Sequence, residues 1–321
     1  MRVSEAVTRY LAWKRSQGFR YDSLERDFAS FSQYMGNKNV LEITPHQIAA
    51  YLNGAQSSNS TWHHKYGHLR QFIDYLKHRG ELKKSPMPPA IARHDKAFIP
   101  YIYSRSEISR LVDHRFVGWC VKANAKRIAP ETLRALLLFL YGTGVSVGEA
   151  LTLQMKHLDL KRNVVTLERP DEGRIRTIPI GRDVHKLLER YLALPVRREI
   201  QAAYVFVNVK GAPINPVTLG FNFQRLRRRA GITRPGRPRN QPRMHDFRFT
   251  FAVHRIASWY RDGIDVPKKL PALAAYMGHT GLRAVERYLA LTPEHYREQL
   301  RHMSSGRPPQ KIKVKVLPET S

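Results

Sequence analysis

The sequence predicts a mainly α-helical fold with a small β-sheet, the α+β class, divided into two domains. Apolar residues recur three and four positions apart over residues 1–80 and again over most of residues 216–303, which is the spacing of one helix face. Two β-rich segments, 163–168 and 174–180, are separated by the turn residues Pro170, Asp171 and Gly173, which predicts a hairpin. A chain of 321 residues has the length of about two domains.

The first domain, residues 1–80, is predicted to hold four helices. The first helix runs from about residue 4 to a stop at Gly18, and the third begins at Thr44 and Pro45, an N-cap followed by proline at the first helical position. The fourth spans about 60–79. The apolar face of the second helix carries Leu24, Phe28, Phe31 and Met35.

A connector rich in proline and lysine, residues 81–100, separates this domain from the second, residues 101–303. The second domain opens with a capping box, Ser104 and Glu107, and contains a helix over about 130–141. A short strand at 204–208 is predicted to join the hairpin. The tail, 304–321, alternates lysine with apolar residues: either it adds as an edge strand to a partner molecule or it is a disordered terminus.

Charge is the unusual feature of the composition, because 55 Lys and Arg against 26 Asp and Glu leave a net charge of +29. Such a surface predicts a polyanionic partner, and nucleic acid is favoured over a membrane because the sequence has no apolar span and no basic amphipathic anchor. The single cysteine, Cys120, excludes an intramolecular disulfide framework and an all-cysteine metal site. Together with the lack of a signal peptide, it predicts a reducing, cytoplasmic location, on the nucleoid.

A dense run of arginines lies between residues 225 and 248, opposed there only by Asp246. Guanidinium groups bind phosphate oxygens two at a time, and a solvated face normally mixes charges of both signs. The run therefore predicts a surface that contacts DNA phosphates. The candidate contact residues are Arg225, Arg227, Arg228, Arg229, Arg239 and Arg243.

Three short strings in one order point to chemistry: HDFR at 245–248, GH at 278–279, and Tyr288 nine residues after that histidine. On a helix, His245 and Arg248 lie three residues apart on one face, so an imidazole and a guanidinium can meet one phosphate. Cleavage of a phosphodiester needs an in-line nucleophile, cations on the non-bridging oxygens and a proton source for the leaving oxygen. A tyrosine phenol can supply the nucleophile.

On these strings the chain resembles the tyrosine recombinase, or phage integrase, family over nearly its whole length. The resemblance implies a SAM-like helical core-binding domain followed by a catalytic domain that cleaves and rejoins DNA through a 3′-phosphotyrosine on Tyr288. Arg248 would bind the scissile phosphate, and His245 and His279 would support proton transfer and phosphate positioning. The resemblance also implies double-stranded DNA and a homo- or hetero-tetramer of recombinase subunits as partners, with no metal and no cofactor.

Two positions depart from the family pattern. Ser146 stands in the string TGVSVGE where the family has its first arginine, and Asp171 stands in the hairpin where the family has a lysine. Each loss is worth about 10²- to 10³-fold in rate on the scale of single transition-state donors. Cleavage is then slow or dependent on a partner recombinase, or the chain is an inactive DNA-binding subunit. The candidate substitutes for the missing cations are Arg169, Arg174 and Arg176.

Overall fold

The chain forms two compact units that divide between Ile99 and Pro100. The computed structural model describes residues 1–17, 22–54, 59–92, 99–122, 128–169, 174–200, 202–236, 240–279 and 281–293. The tail, 304–321, and the predicted features at Asp171 and Arg239 therefore lie outside the described residues.

The first unit is a helical domain built around a cluster of aromatic rings. The rings of Tyr10, Phe28 and Phe72 meet edge to face, with each pair of centroids 5.3 Å apart. This geometry is the favourable one for aromatic pairs, and each residue occupies the apolar face of its own helix. The helices are α1 (Val3–Ser16), α2 (Asp22–Met35), α3 (Pro45–Asn53) and α4 (Asn59–His78).

Part of the predicted connector packs on this first unit. Leu82 is buried in its core, and the Tyr66 hydroxyl donates a hydrogen bond of 3.0 Å to the carbonyl of Pro88. The Asn59 amide donates likewise to the carbonyl of Ala92 at 3.1 Å. Residues 82–92 are therefore held as part of the first unit.

The second unit is built around one buried helix, α7 (Pro130–Thr143), which packs against α9 (Arg182–Ala193) and α12 (Asp246–Arg261). The capping box predicted at the start of the second domain is formed: Ser104 Oγ accepts a hydrogen bond of 3.2 Å from the Glu107 amide. The helices of this unit are α5 (Arg105–Leu111), α6 (His114–Lys122), α7 (Pro130–Thr143), α8 (Val147–Thr152), α9 (Arg182–Ala193), α10 (Pro195–Arg198), α11 (Pro216–Arg229), α12 (Asp246–Arg261), α13 (Val266–Met277) and α14 (Arg283–Ala290).

The sheet has three strands in the order β1 (Leu158–Asp159), β2 (Val164–Arg169) and β3 (Arg174–Pro179). β1 runs antiparallel to β2, with Leu158 opposite Val165. Residues 204–208 do not join this sheet, so that prediction is wrong: the Val205 amide bonds to the Leu153 carbonyl at 2.9 Å instead. The buried guanidinium of Arg197 binds the carbonyls of Tyr204 and Val205 and holds this segment in place.

Helices with one small sheet confirm the predicted α+β class. Among the described residues, no helix combines the length and the apolar character that crossing a bilayer requires.

Candidate active site

Arg248 lies near the start of α12 with only 4 % of its surface exposed. Its Nη1 donates to the Gly144 carbonyl at 2.8 Å, and its Nη2 donates to the Met277 carbonyl. Gly144 ends α7 with φ of +64°, and a Cβ there would lie 2.2 Å from a ring carbon of Phe251. A glycine is therefore needed at this point, where α7 presents its carbonyl to Arg248.

His279 follows the end of α13, where Gly278 adopts φ of +70° and reverses the chain. Its Nε2 lies 3.3 Å from Arg248 Nη2 and 3.0 Å from the Tyr288 hydroxyl. A guanidinium can only donate, and an imidazole nitrogen has one lone pair, so an unprotonated Nε2 can accept from Arg248 or from the Tyr288 hydroxyl, and the contact with the hydroxyl is the shorter.

Tyr288 lies on α14 and is 3 % exposed. Its ring packs edge-on against Phe249, with centroids 5.3 Å apart. Burial raises the pKa of the phenol above its usual value, and the positive charge of Arg248 opposes that rise. The hydroxyl is therefore protonated at neutral pH, and His279 Nε2 lies within hydrogen-bond reach of it.

The structure thus joins three of the predicted residues, Arg248, His279 and Tyr288, in one chain of contacts. His245 lies at the edge of this group: it is exposed at the N-cap of α12, and its ring centroid is 6.0 Å from that of Phe249. Phe249 packs between the rings of His245 and Tyr288.

Ser146, at the departed arginine position, caps α8. Its amide and its hydroxyl donate to Oε2 of Glu149 at 2.7 and 2.8 Å, and its Oγ accepts from the Glu149 amide at 3.3 Å. Sequence reasoning missed Glu149 as a site residue. The serine–glutamate spacing of a capping box, three residues apart, was the available signal.

Arg176 reaches this corner from β3. Its Nη1 forms an ion pair with Oε1 of Glu149, whose side chain is 2 % exposed. Burial acts to raise the pKa of Glu149, but hydrogen bonds from Arg176 and the Ser146 amide, with the charge of Arg176, hold it at about 2. This carboxylate is therefore ionised at neutral pH and cancels the charge of its partner.

Arg176 also contacts the turn that carries His279. Its Nε donates to the Tyr276 carbonyl at 3.1 Å, and a Cβ on Gly278 would lie 2.8 Å from its Nη1. Its Nη2 is buried and has no hydrogen-bond partner within the part of the chain that the structure describes. Arg169 ends β2 and Arg174 begins β3.

The arginines of the run between residues 225 and 248 differ in their exposure to solvent. Arg228 and Arg229 are exposed at the end of α11, Arg225 is half-buried, and Arg243 is exposed and paired with Asp246 at 3.1 Å. Arg227 is 4 % exposed, and its Nη1 donates to the Ile232 carbonyl at 2.7 Å and to Gln241 at 3.0 Å. This burial corrects the prediction that Arg227 contacts DNA, because its guanidinium serves the fold.

Comparison with known proteins places this arrangement in a family. The phage integrase family matches residues 119–295. An integrase/recombinase of Sinorhizobium fredii, y4rB, is 27 % identical over 305 residues, which cover 93 % of this chain and 96 % of that protein. The tyrosine recombinase XerC of Staphylococcus carnosus is 25 % identical over 252 residues, covering 78 % and 77 %.

Solved structures share the fold at low identity. A lambda integrase dimer bound to a COC′ core site gives a TM-score of 0.61 at 15 % identity and covers 88 % of this chain and 97 % of that one. The Tn1549 transposon integrase in complex with transposon right end DNA gives 0.61 at 16 %, covering 95 % and 100 %. Since the family match spans more than half of the sequence, the chain belongs to the phage integrase family of tyrosine recombinases.

Proposed function

We propose that the chain is a site-specific DNA recombinase that cleaves and rejoins DNA strands through a 3′-phosphotyrosine on Tyr288. The observation that carries the proposal is the contact chain from Arg248 Nη2 to His279 Nε2 to the Tyr288 hydroxyl, at 3.3 and 3.0 Å. A buried nucleophile, a base within hydrogen-bond reach and a buried cation are the parts that this chemistry needs.

In the cleavage step, the Tyr288 oxygen attacks the scissile phosphorus and the bond from phosphorus to the 5′ oxygen breaks. The phenolic proton passes to His279 Nε2 and from there to solvent, and the 5′ oxygen takes a proton from solvent water as it leaves, so that it departs as a hydroxyl. Arg248 binds a non-bridging oxygen, whose charge grows in the transition state. Rejoining reverses the step, with a 5′ hydroxyl as the attacking group. His245, exposed beside Phe249, is in this proposal the group that positions the phosphate from the solvent side.

Arg176 is in this proposal a positioning residue rather than a full substitute for the arginine missing at 146. Glu149 cancels its charge, while its contacts with the Tyr276 carbonyl and Gly278 hold the turn that carries His279. The phosphate then lacks the first of the two arginines that the family pattern supplies, and Arg248 stands at the position of the second. We therefore expect cleavage that is slow or that depends on a partner subunit.

Double-stranded DNA is the proposed substrate, and a tetramer of identical or related recombinase subunits is the proposed assembly. The net charge of +29 and the exposed Arg228, Arg229 and Arg243 support a duplex bound through its phosphates. Relatives named as integrases and recombinases, among them a lambda integrase dimer bound to a core site, support the same assignment.

A second candidate function is that of a DNA-binding subunit without catalysis. Ser146 favours it, because a neutral hydroxyl engaged with Glu149 supplies no charge to a phosphate. Asp171, in place of the hairpin lysine, favours it as well.

A nicked suicide substrate distinguishes the two functions. The recombinase gives a protein–DNA adduct that survives SDS and is absent in Tyr288→Phe, a variant that keeps the buried ring and removes the nucleophile. Tyr260→Phe, on α12, is the matched control and should leave the adduct unchanged. DNA binding without an adduct, alone and with related recombinases, would establish the binding subunit instead.

A further inference from the structure

An aspartate and two histidines meet on the first unit, which takes no part in the chemistry described above. His64 and His68 lie four residues apart on α4, and Asp27 lies on α2. Residues at this spacing share one face of a helix, about 6 Å apart along its axis. The two imidazole rings meet edge to face with centroids 4.2 Å apart, and Asp27 Oδ2 lies 2.9 Å from His68 Nδ1.

The donor atoms of these residues converge. One ligand atom from each residue lies within 4.8 Å of the others. A tetrahedral Zn²⁺ site holds nitrogen and oxygen donors at about 2.0–2.2 Å from the ion, and so about 3.4 Å from one another. The pair Asp27 and His68 must open by about 0.5 Å and His64 must close on them. These side chains can move because His64 is exposed and the other two are half-buried.

We propose that Asp27, His64 and His68 bind one divalent transition-metal ion of the Zn²⁺ class, with water in the fourth position. The ion would link α2 to α4 and add a cross-link to the aromatic core of the first unit. A site with two imidazoles and one carboxylate selects Zn²⁺ or Co²⁺ over Mg²⁺ and Ca²⁺, which prefer oxygen donors alone.

The residues around the site affect its expected affinity for a metal ion. The Tyr51 hydroxyl donates to the backbone carbonyl of Asp27 at 2.9 Å, which fixes the main chain at one ligand. Lys65 places its ammonium 5.0 Å from the centre of the Tyr51 ring, and Lys14 lies close enough to act on His68 electrostatically. Two nearby ammonium groups disfavour a further cation, so affinity must come from coordinate bonds to imidazole rather than from net charge.

The test is a titration of the full chain, free of any histidine tag, with Co²⁺. We expect one ion per chain with the intense visible absorption of tetrahedral Co²⁺, displaced by Zn²⁺, and a Zn²⁺-dependent rise in melting temperature. His64→Asn, His68→Asn and Asp27→Asn should each weaken binding by more than about tenfold, at least the loss caused by removing supporting groups around a metal. His78→Asn, an exposed histidine on the same helix, is the matched control and should bind as the wild type does.

Absence of the visible absorption, or equal affinity in His64→Asn and wild type, would overturn the proposal and leave a hydrogen bond between Asp27 and His68. The protein contains 14 histidines, so the control at His78 separates this site from adventitious binding. If His68→Asn unfolds the domain, His64→Asn decides the question, because its side chain is exposed. Metal binding is measured without DNA, so the result is independent of whether Tyr288 cleaves a strand.

Discussion

Two arginines of the second unit, the buried Arg248 and the half-buried Arg176, differ in what holds them. Arg248 donates to the carbonyls of Gly144 and Met277, and its Nη2 lies 3.3 Å from His279 Nε2. Arg176 is paired with the ionised carboxylate of Glu149. Position near the site therefore does not make an arginine a phosphate ligand, since the carboxylate of Glu149 cancels the charge of Arg176; the phosphate contact is proposed for Arg248.

The same contrast explains why Ser146 matters. The hydroxyl caps α8 through Glu149, so this position now contributes to helix stability and supplies no cation. Arg248, His279 and Tyr288, the first corner, are the groups proposed for the reaction, whereas Ser146, Glu149 and Arg176, the second corner, form a structural network. Substitutions at the two corners should therefore have different consequences.

The largest expected effect is on catalysis at the first corner. Arg248→Ala should lower the rate of adduct formation on a suicide substrate by about 10²- to 10³-fold, because its guanidinium is the cation proposed to bind the scissile phosphate beside the phenol. Arg248→Lys keeps the charge but loses the bidentate geometry of the guanidinium, so its rate should lie between those of the wild type and Arg248→Ala. A rate in Arg248→Ala equal to that of the wild type would show that the comparison assigns the catalytic charge to the wrong arginine.

At the second corner the main expected effect is on stability. Arg176→Ala leaves Glu149 buried without its partner, which costs about 3–5 kcal/mol of unfolding free energy for a buried pair. The double variant Arg176→Ala with Glu149→Gln should recover part of that loss, because the uncompensated charge is gone. Urea unfolding of the single and double variants checks this, and a double variant no more stable than Arg176→Ala would contradict it.

Restoring the family's arginine should sharpen the difference between the corners. Ser146→Arg should raise the adduct yield by about tenfold to 10²-fold, the scale of one transition-state donor. Ser146→Ala is the matched control: it removes the cap at a cost of about 1 kcal/mol and adds no charge, so the yield should not rise. An equal yield in Ser146→Arg and wild type would mean that Glu149 and Arg176 have closed the space to the phosphate.

The second corner should also be sensitive to acid. The pKa of Glu149 is lowered from 4.5 to about 2 in the folded protein, so the unfolded chain binds a proton more readily. Its contribution to stability is complete above about pH 4.5 and is lost as the pH falls toward 2. Melting temperatures over this window should fall less steeply in Glu149→Gln than in the wild type, and parallel curves would refute the assignment.

The smallest expected effects are those of substituting two adjacent arginines of α11, one exposed and one buried. Arg228→Ala should lower the slope of log affinity for duplex DNA against log salt by about 1, with an unchanged melting temperature. Arg227→Ala should lower the melting temperature, because its bond to the Ile232 carbonyl is lost, and should leave the salt slope as it was. The reverse pattern would show that the buried and exposed members of the run have been interchanged.

Local features of the fold were accessible from the sequence. The caps at Thr44 and Ser104 and the apolar face of α2 depend on neighbours within a few residues, and the structure has them as predicted. The burial of Arg227 was accessible too, since Leu219, Phe223 and Leu226 mark the buried face of α11 and Arg227 follows Phe223 by one turn. The sequence prediction counted the arginines of the run without using this helical periodicity.

Contacts between residues that are distant in the sequence could not be predicted from local patterns. Arg176 and Glu149 lie 27 residues apart, and Arg248 reaches Gly144 across 104 residues, so neither contact follows from periodicity. The sequence marked Arg176 as one of three candidate cations without indicating which carboxylate it would meet. Residues 204–208 were mistaken for a sheet strand because an apolar run does not specify which backbone it will pair with.

The central claim is that the phenol of Tyr288 is the group that becomes esterified. The most direct measurement is to trap the adduct on a suicide substrate, digest it with trypsin and nuclease, and locate the modified residue by fragmentation mass spectrometry. Cleavage after Arg287 and Arg297 gives a peptide with two tyrosines, Tyr288 and Tyr296, so fragment ions must distinguish them. The account predicts a nucleotide on Tyr288, whereas modification of Tyr296 or of a tyrosine elsewhere in the chain would contradict it.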